Sequence, residues 1–111
     1  MPTDHAVTPW KAGVSRRIIT PPPHVELAGL GYYLNRTSER VADDLAATAL
    51  VIEDRWGQSV AIVAIDLMYC EESFTRNIRY RASSQTGIPP HAICVNCSHS
   101  HNAPTAGFIR G

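Results

Sequence analysis

Ser59-Val60-Ala61-Ile62-Val63-Ala64-Ile65-Asp66-Leu67 is an apolar run closed by an acid. It is too short for a globular helix and rich in β-branched residues, so it reads as a strand. Residues 60–65 are apolar without a break, which predicts a central strand buried on both faces. Upstream, residues 45–53 (Leu-Ala-Ala-Thr-Ala-Leu-Val-Ile-Glu) form a second strand, and Asp54-Arg55-Trp56-Gly57-Gln58 is the turn between them. So short a link predicts an antiparallel hairpin.

Downstream, residues 71–86 predict a helix. Glu71 and Glu72 occupy its first turn, Arg76, Arg79 and Arg81 follow, and Phe74, Ile78 and Ala82 mark one face at four-residue spacing. Gly87 suits the position after the helix, Ile88 is placed to fold back on the last turn, and Pro89-Pro90 stop propagation. Ala92-Ile93-Cys94-Val95-Asn96-Cys97 is a further strand. Residues 59–98 are therefore a β-α-β unit with parallel strands and a right-handed crossover. The expected fold class is α/β: a mixed sheet in which an antiparallel hairpin precedes a βαβ unit.

Residues 1–11 are polar and irregular and are expected to be a flexible N-terminus. Residues 12–20 form a short strand that ends at Pro21-Pro22-Pro23, a tract without backbone donors. Residues 24–44 read as a loop. Such a length is unusual in a compact domain and points to function or to missing neighbours. Gly29 and Gly31 lie in it without the Gly-Lys-Ser of a phosphate loop, so they are expected to permit positive φ or close backbone approach.

The chain has 111 residues, 44% of them hydrophobic and 18% charged, which fits one small globular domain. Ten basic residues balance ten acidic ones, and no basic tract points to nucleic acid. No apolar run reaches the roughly 20 residues of a membrane span, and Met1-Pro2-Thr3-Asp4-His5 has no signal-peptide pattern. A cytoplasmic location is the default expectation.

Three cysteines do not make a disulfide framework. Cys94 and Cys97 have C-x-x-C spacing, but on a strand they point to opposite faces, so they are expected to be small, buried, reduced thiols. Trp10, Trp56, Tyr32 and Tyr33 are expected to pack, and Asn35-Arg36-Thr37 matches a glycosylation sequon. Ser98 and Ser100 lack the strained Gly-x-Ser-x-Gly turn of a serine nucleophile.

The chemistry concentrates at Ser98-His99-Ser100-His101, just past the last strand. In an extended backbone residues i and i+2 share a face, so both imidazoles can converge on one ion, and ligands of α/β sheets bind at the carboxyl ends of strands. Asp66 ends the neighbouring parallel strand and is a candidate ligand, or an acceptor that orients a ligand histidine. Imidazole suits zinc, copper, iron or nickel, and zinc is the commonest of these in a hydrolase. A catalytic zinc takes three protein ligands, so two histidines need help from elsewhere. A pair of ordinary loop histidines remains the alternative.

The ordered motifs resemble the N-terminal part of the neutral/alkaline, non-lysosomal ceramidase family. They are Ala12-Gly13-Val14-Ser15-Arg16, Ile19-Thr20-Pro21-Pro22, Ala28-Gly29-Leu30-Gly31-Tyr32, Ala49-Leu50-Val51-Ile52-Glu53-Asp54, residues 60–66, Thr86-Gly87-Ile88-Pro89-Pro90 and Ser98-His99-Ser100-His101. The resemblance implies a zinc-dependent amidase that hydrolyses ceramide, or a related N-acyl lipid, to sphingosine and a fatty acid. It implies that His99 is a zinc ligand and that His101 lies beside the zinc-bound water and substrate. It also implies that the other ligands (a histidine, a glutamate and a tyrosine) and a catalytic serine belong to the remainder of the same polypeptide. Residues 12–111 would then be an incomplete N-terminal portion of a larger catalytic domain, inactive alone. The family pattern His-Thr-His-Ser-Gly-Pro differs from His99-Ser100-His101-Asn102-Ala103-Pro104 here. A non-catalytic binding module, or another metallohydrolase with an H-x-H site, are the competing expectations.

Overall fold

The computed structural model describes residues 9–30 and 36–106. The readings made for residues 1–8, for Gly31, Tyr32 and Tyr33, and for Asn35 lie outside the described residues. The elements in chain order are β1 (Lys11–Ile18), β2 (Ala46–Glu53), β3 (Ser59–Ile65), α1 (Glu72–Thr86), a single 3₁₀ turn (Pro90–Ala92) and β4 (Ile93–Cys97). They form one sheet in the order β1-β2-β3-β4. β1 and β3 each pair antiparallel with β2, and β3 pairs parallel with β4. The mixed sheet, the hairpin and the βαβ unit stand as the sequence predicts.

Local chemistry explains the junctions. At the β2–β3 turn, Asp54 Oδ1 accepts the N–H groups of Trp56 and Gln58, both at 2.9 Å, and Gly57 takes φ 81°. The carboxylate replaces strand partners that the reversing backbone has lost. α1 ends at Gly87, whose φ is 77° and whose N–H reaches the Ser83 carbonyl at 2.8 Å. That left-handed cap releases Ile88 to turn under the sheet.

The core lies between α1 and one face of the sheet. Ala61, Ile88 and Ile93 are buried together, with Val51, Val63, Ala82, Ala92 and Val95 packed around them. The period-two alternation of strands selects these residues: Ala61, Val63 and Ile65 face the helix side.

Three expectations need correction. β3 is covered on one face only; Val60 and Ile62 on the other are exposed. An unbroken apolar run resembles a doubly covered strand, but a single helical crossover can roof only one face. Phe74 is exposed although it continues the spacing of Ile78 and Ala82, because the core centred on Ile88 and Ile93 meets the other end of the helix. Trp10 and Trp56 are exposed too, Trp56 with the Arg55 guanidinium 4.9 Å from its ring centroid. A tryptophan at a hairpin tip has no layer to enter.

The described stretches of the loop, residues 24–30 and 36–44, are more ordered than their composition predicts. Glu26 and Thr37 form an antiparallel bridge, and Leu27 N–H donates to the Arg36 carbonyl at 2.7 Å. This folded loop is carried to the carboxyl end of β4.

Candidate metal-binding strand end

Parallel pairing continues past the named strands. Ser98 N–H donates to the Ile65 carbonyl and His99 N–H to the Leu67 carbonyl; beyond them Met68 N–H reaches Pro104 and Glu71 N–H reaches Ala106. The segment leaving β3 is thus bonded to the segment leaving β4 over several residues. Ordered backbone at this depth fixes what it carries.

His99 is held twice from the β3 side. Its N–H meets the Leu67 carbonyl at 3.1 Å, and its Nδ1 meets the Met68 carbonyl at 2.9 Å. A carbonyl oxygen only accepts, so Nδ1 carries the proton and Nε2 of the neutral ring keeps its lone pair. His101 is held from the loop: its Nδ1–H donates to the Gly29 carbonyl. The same logic leaves Nε2 as its lone-pair nitrogen. The two rings meet edge to face, with centroids 4.8 Å apart and an interplanar angle of 87°. Both side chains are exposed.

The two rings are in contact, but not by the extended route that the spacing predicts. β4 ends at Cys97, and His99 has φ 64°, in the left-handed region. The pair is set by a sharp change of direction after the strand, not by extended alternation. A left-handed non-glycine residue is uncommon, histidine being among the types that tolerate it.

Gly29 supplies the close approach expected of it. Its φ is 100°, and a Cβ there would lie 2.7 Å from His101 Nδ1 and 2.9 Å from its Cγ. Ala103, where the resembling family carries glycine, is fully buried, and its own carbonyl accepts the Ala28 N–H at 3.1 Å. Among the described non-glycine residues only His24 and His99 have positive φ, so position 103 makes no demand that alanine fails to meet.

Arg36 is the site residue that the sequence did not single out. One guanidinium nitrogen donates to the carbonyls of His101 (2.7 Å) and Ala28 (3.2 Å), and the other to Asn102 Oδ1 (3.1 Å). It clamps the loop to the turn that carries His101. The only sequence signal was the unusual length of the loop around it. An open cleft of about 600 Å³ lies alongside, lined by Leu27, Arg36, Val41, Leu45, Ser100 and Asn102 among others, and by neither histidine.

Asp66 makes its hydrogen bonds on the β2 side. Its Oδ2 accepts the Ala46 N–H at 3.0 Å while its own N–H donates to the Ala46 carbonyl at 2.9 Å, clasping the start of β2. Among the described residues no three His, Cys, Asp or Glu side chains gather closely enough to hold an ion. The donor set is therefore two imidazoles with oriented lone pairs. This fits part of a zinc site and needs further ligands to complete one.

The cysteines divide as strand geometry predicts. Cys94 is exposed on the open face, not buried as expected, since that face has no cover. Cys97 faces the helix side, with its sulfur 2.6 Å from that of Cys70. Burial, the hydrogen bond to Cys97 and the charge Cys97 would carry together push the Cys70 thiol up to about 12 from 9.0.

Among the described residues, no helix is long and apolar enough to cross a membrane. No family model matches the chain. The chain is similar to the neutral ceramidases of Drosophila pseudoobscura pseudoobscura and Drosophila melanogaster, 31% identical to each over 103 residues. Each match takes in 90% of this chain and 14% of the relative, so the chain spans a small part of the length of the curated proteins it matches.

Proposed function

We propose that this chain contributes part of the catalytic domain of a zinc-dependent amidase, which hydrolyses ceramide or a related N-acyl lipid to sphingosine and a fatty acid. The observation that carries the reading is the pairing of His99 and His101 at a strand end, each with Nδ1 tied to a main-chain carbonyl and Nε2 left to coordinate or exchange a proton. The likeness to neutral ceramidases supports the substrate class.

In this reading His99 Nε2 is a zinc ligand, and the Met68 carbonyl both orients the ring and raises its basicity. Zinc bound there would lower the pKa of a water molecule and polarise the amide carbonyl. His101, whose ring meets that of His99 edge to face, would use its Nε2 to accept a proton from that water or to hydrogen-bond the substrate. Asp66 ties the start of β2 to the end of β3, two residues before the Met68 whose carbonyl holds His99. The remaining ligands come from outside this chain, and the 111 residues alone are inactive.

The test uses the chain extended to the length of its relatives. Hydrolysis of an N-acyl sphingosine is expected, lost on chelation and restored by zinc. His99→Ala should abolish zinc binding at this site together with activity. Turnover that survives complete removal of metal would exclude the mechanism.

A further inference from the structure

We propose that Cys70 and Cys97 are the two halves of a redox-formed disulfide that staples the strand end behind His99. Cys70 lies on the segment leaving β3 and Cys97 is the last residue of β4, so the two are 27 residues apart in sequence. Their sulfurs are 2.6 Å apart, so a movement of about half an ångström reaches the roughly 2.05 Å bond. Neighbouring backbone is already bonded on both sides, at Ser98 to Ile65 and at Glu71 to Ala106, so the cysteines are held as a pair. Cys94, three residues before Cys97, points to the other face and is excluded from it.

The co-reactant is a low-molecular-weight disulfide of the oxidised glutathione class. One cysteine sulfur attacks it, forming a mixed disulfide and releasing one small thiol. The second cysteine sulfur then attacks the protein sulfur of that mixed disulfide and expels the second small thiol. The protein loses two S–H bonds and gains one S–S bond; the oxidant's S–S bond is reduced to two thiols, which carry away both protons. Met68 precedes Cys70 by two residues and His99 follows Cys97 by two, so the bond would fix the carbonyl and the imidazole it orients. This inference is independent of zinc and of the amidase reading.

Treating the folded 111-residue chain with oxidised glutathione should remove two of its three alkylatable thiols and the mass of two hydrogens. Trypsin should then join residues 56–76 to residues 82–110. Cys94→Ser should leave this linkage intact and Cys97→Ser should abolish it. In urea the selectivity should pass to Cys94–Cys97, whose loop is far shorter. The His99 amide should exchange with solvent more slowly in the oxidised chain. Retention of all three thiols, stable mixed disulfides, a native linkage through Cys94, or unchanged exchange at His99 would each overturn the proposal.

Discussion

The two histidines are anchored by opposite means. His99 is fixed by Leu67 and Met68, which continue the pairing of β3 with β4 above the Ala61–Ile88–Ile93 core. His101 is fixed by Gly29 and by the Arg36 clamp, both on a loop held by a short ladder of backbone bonds around Glu26 and Thr37 rather than by the sheet. One half of the site inherits the stability of the sheet; the other depends on a surface loop. In the proposed reading such a division would let His99 stay in place while His101 adjusts, since low-stability segments are those that move.

The largest effect should come from removing what the rigid half stands on. Ile93→Ala deletes a buried side chain next to Ala61 and Ile88 and should cost about 2–5 kcal/mol, read by chemical denaturation. Both anchors should fail together. Retention of the native His99 ring signals by NMR in that variant would show that the site does not rest on this core.

A smaller change should separate the halves. Gly29→Ala places a methyl group against the His101 ring at φ 100°, with a cost of roughly 1–3 kcal/mol. The Nδ1–H of His101 should lose its carbonyl partner, seen by nitrogen shifts of the imidazole, while His99 keeps the tautomer set by Met68. Equal disturbance of the two rings would refute the division.

The mildest test is alkaline pH on the reduced chain. The folded Cys70 thiol holds its proton up to about pH 12, whereas the ordinary thiol releases it near 9.0. The folded state therefore binds the proton more tightly, and stability is lost as pH rises through that window. Denaturation midpoints should fall between pH 9 and 12 in the reduced wild type and less so in Cys70→Ala.

Sequence pattern and tertiary structure divided the work along physical lines. Apolar continuity in residues 60–65, the Asp54 and Gly57 turn, and the Gly87 stop with its following prolines are local properties, so the strands, the helix and their order were legible. The H-x-H pair was also visible, because two histidines at a strand end are a matter of spacing. Burial was not: β3 has the same residues whether one layer covers it or two, and only the helix's position left Val60 and Ile62 exposed. Nor could spacing show that His99 turns left-handed, that Asp66 serves β2, that Arg36 crosses 65 residues of chain to reach His101, or that Cys70 meets Cys97. Those are contacts between segments far apart in sequence. Local preference determined the elements; the long-range closure of the loop onto the strand end decided which atoms face one another.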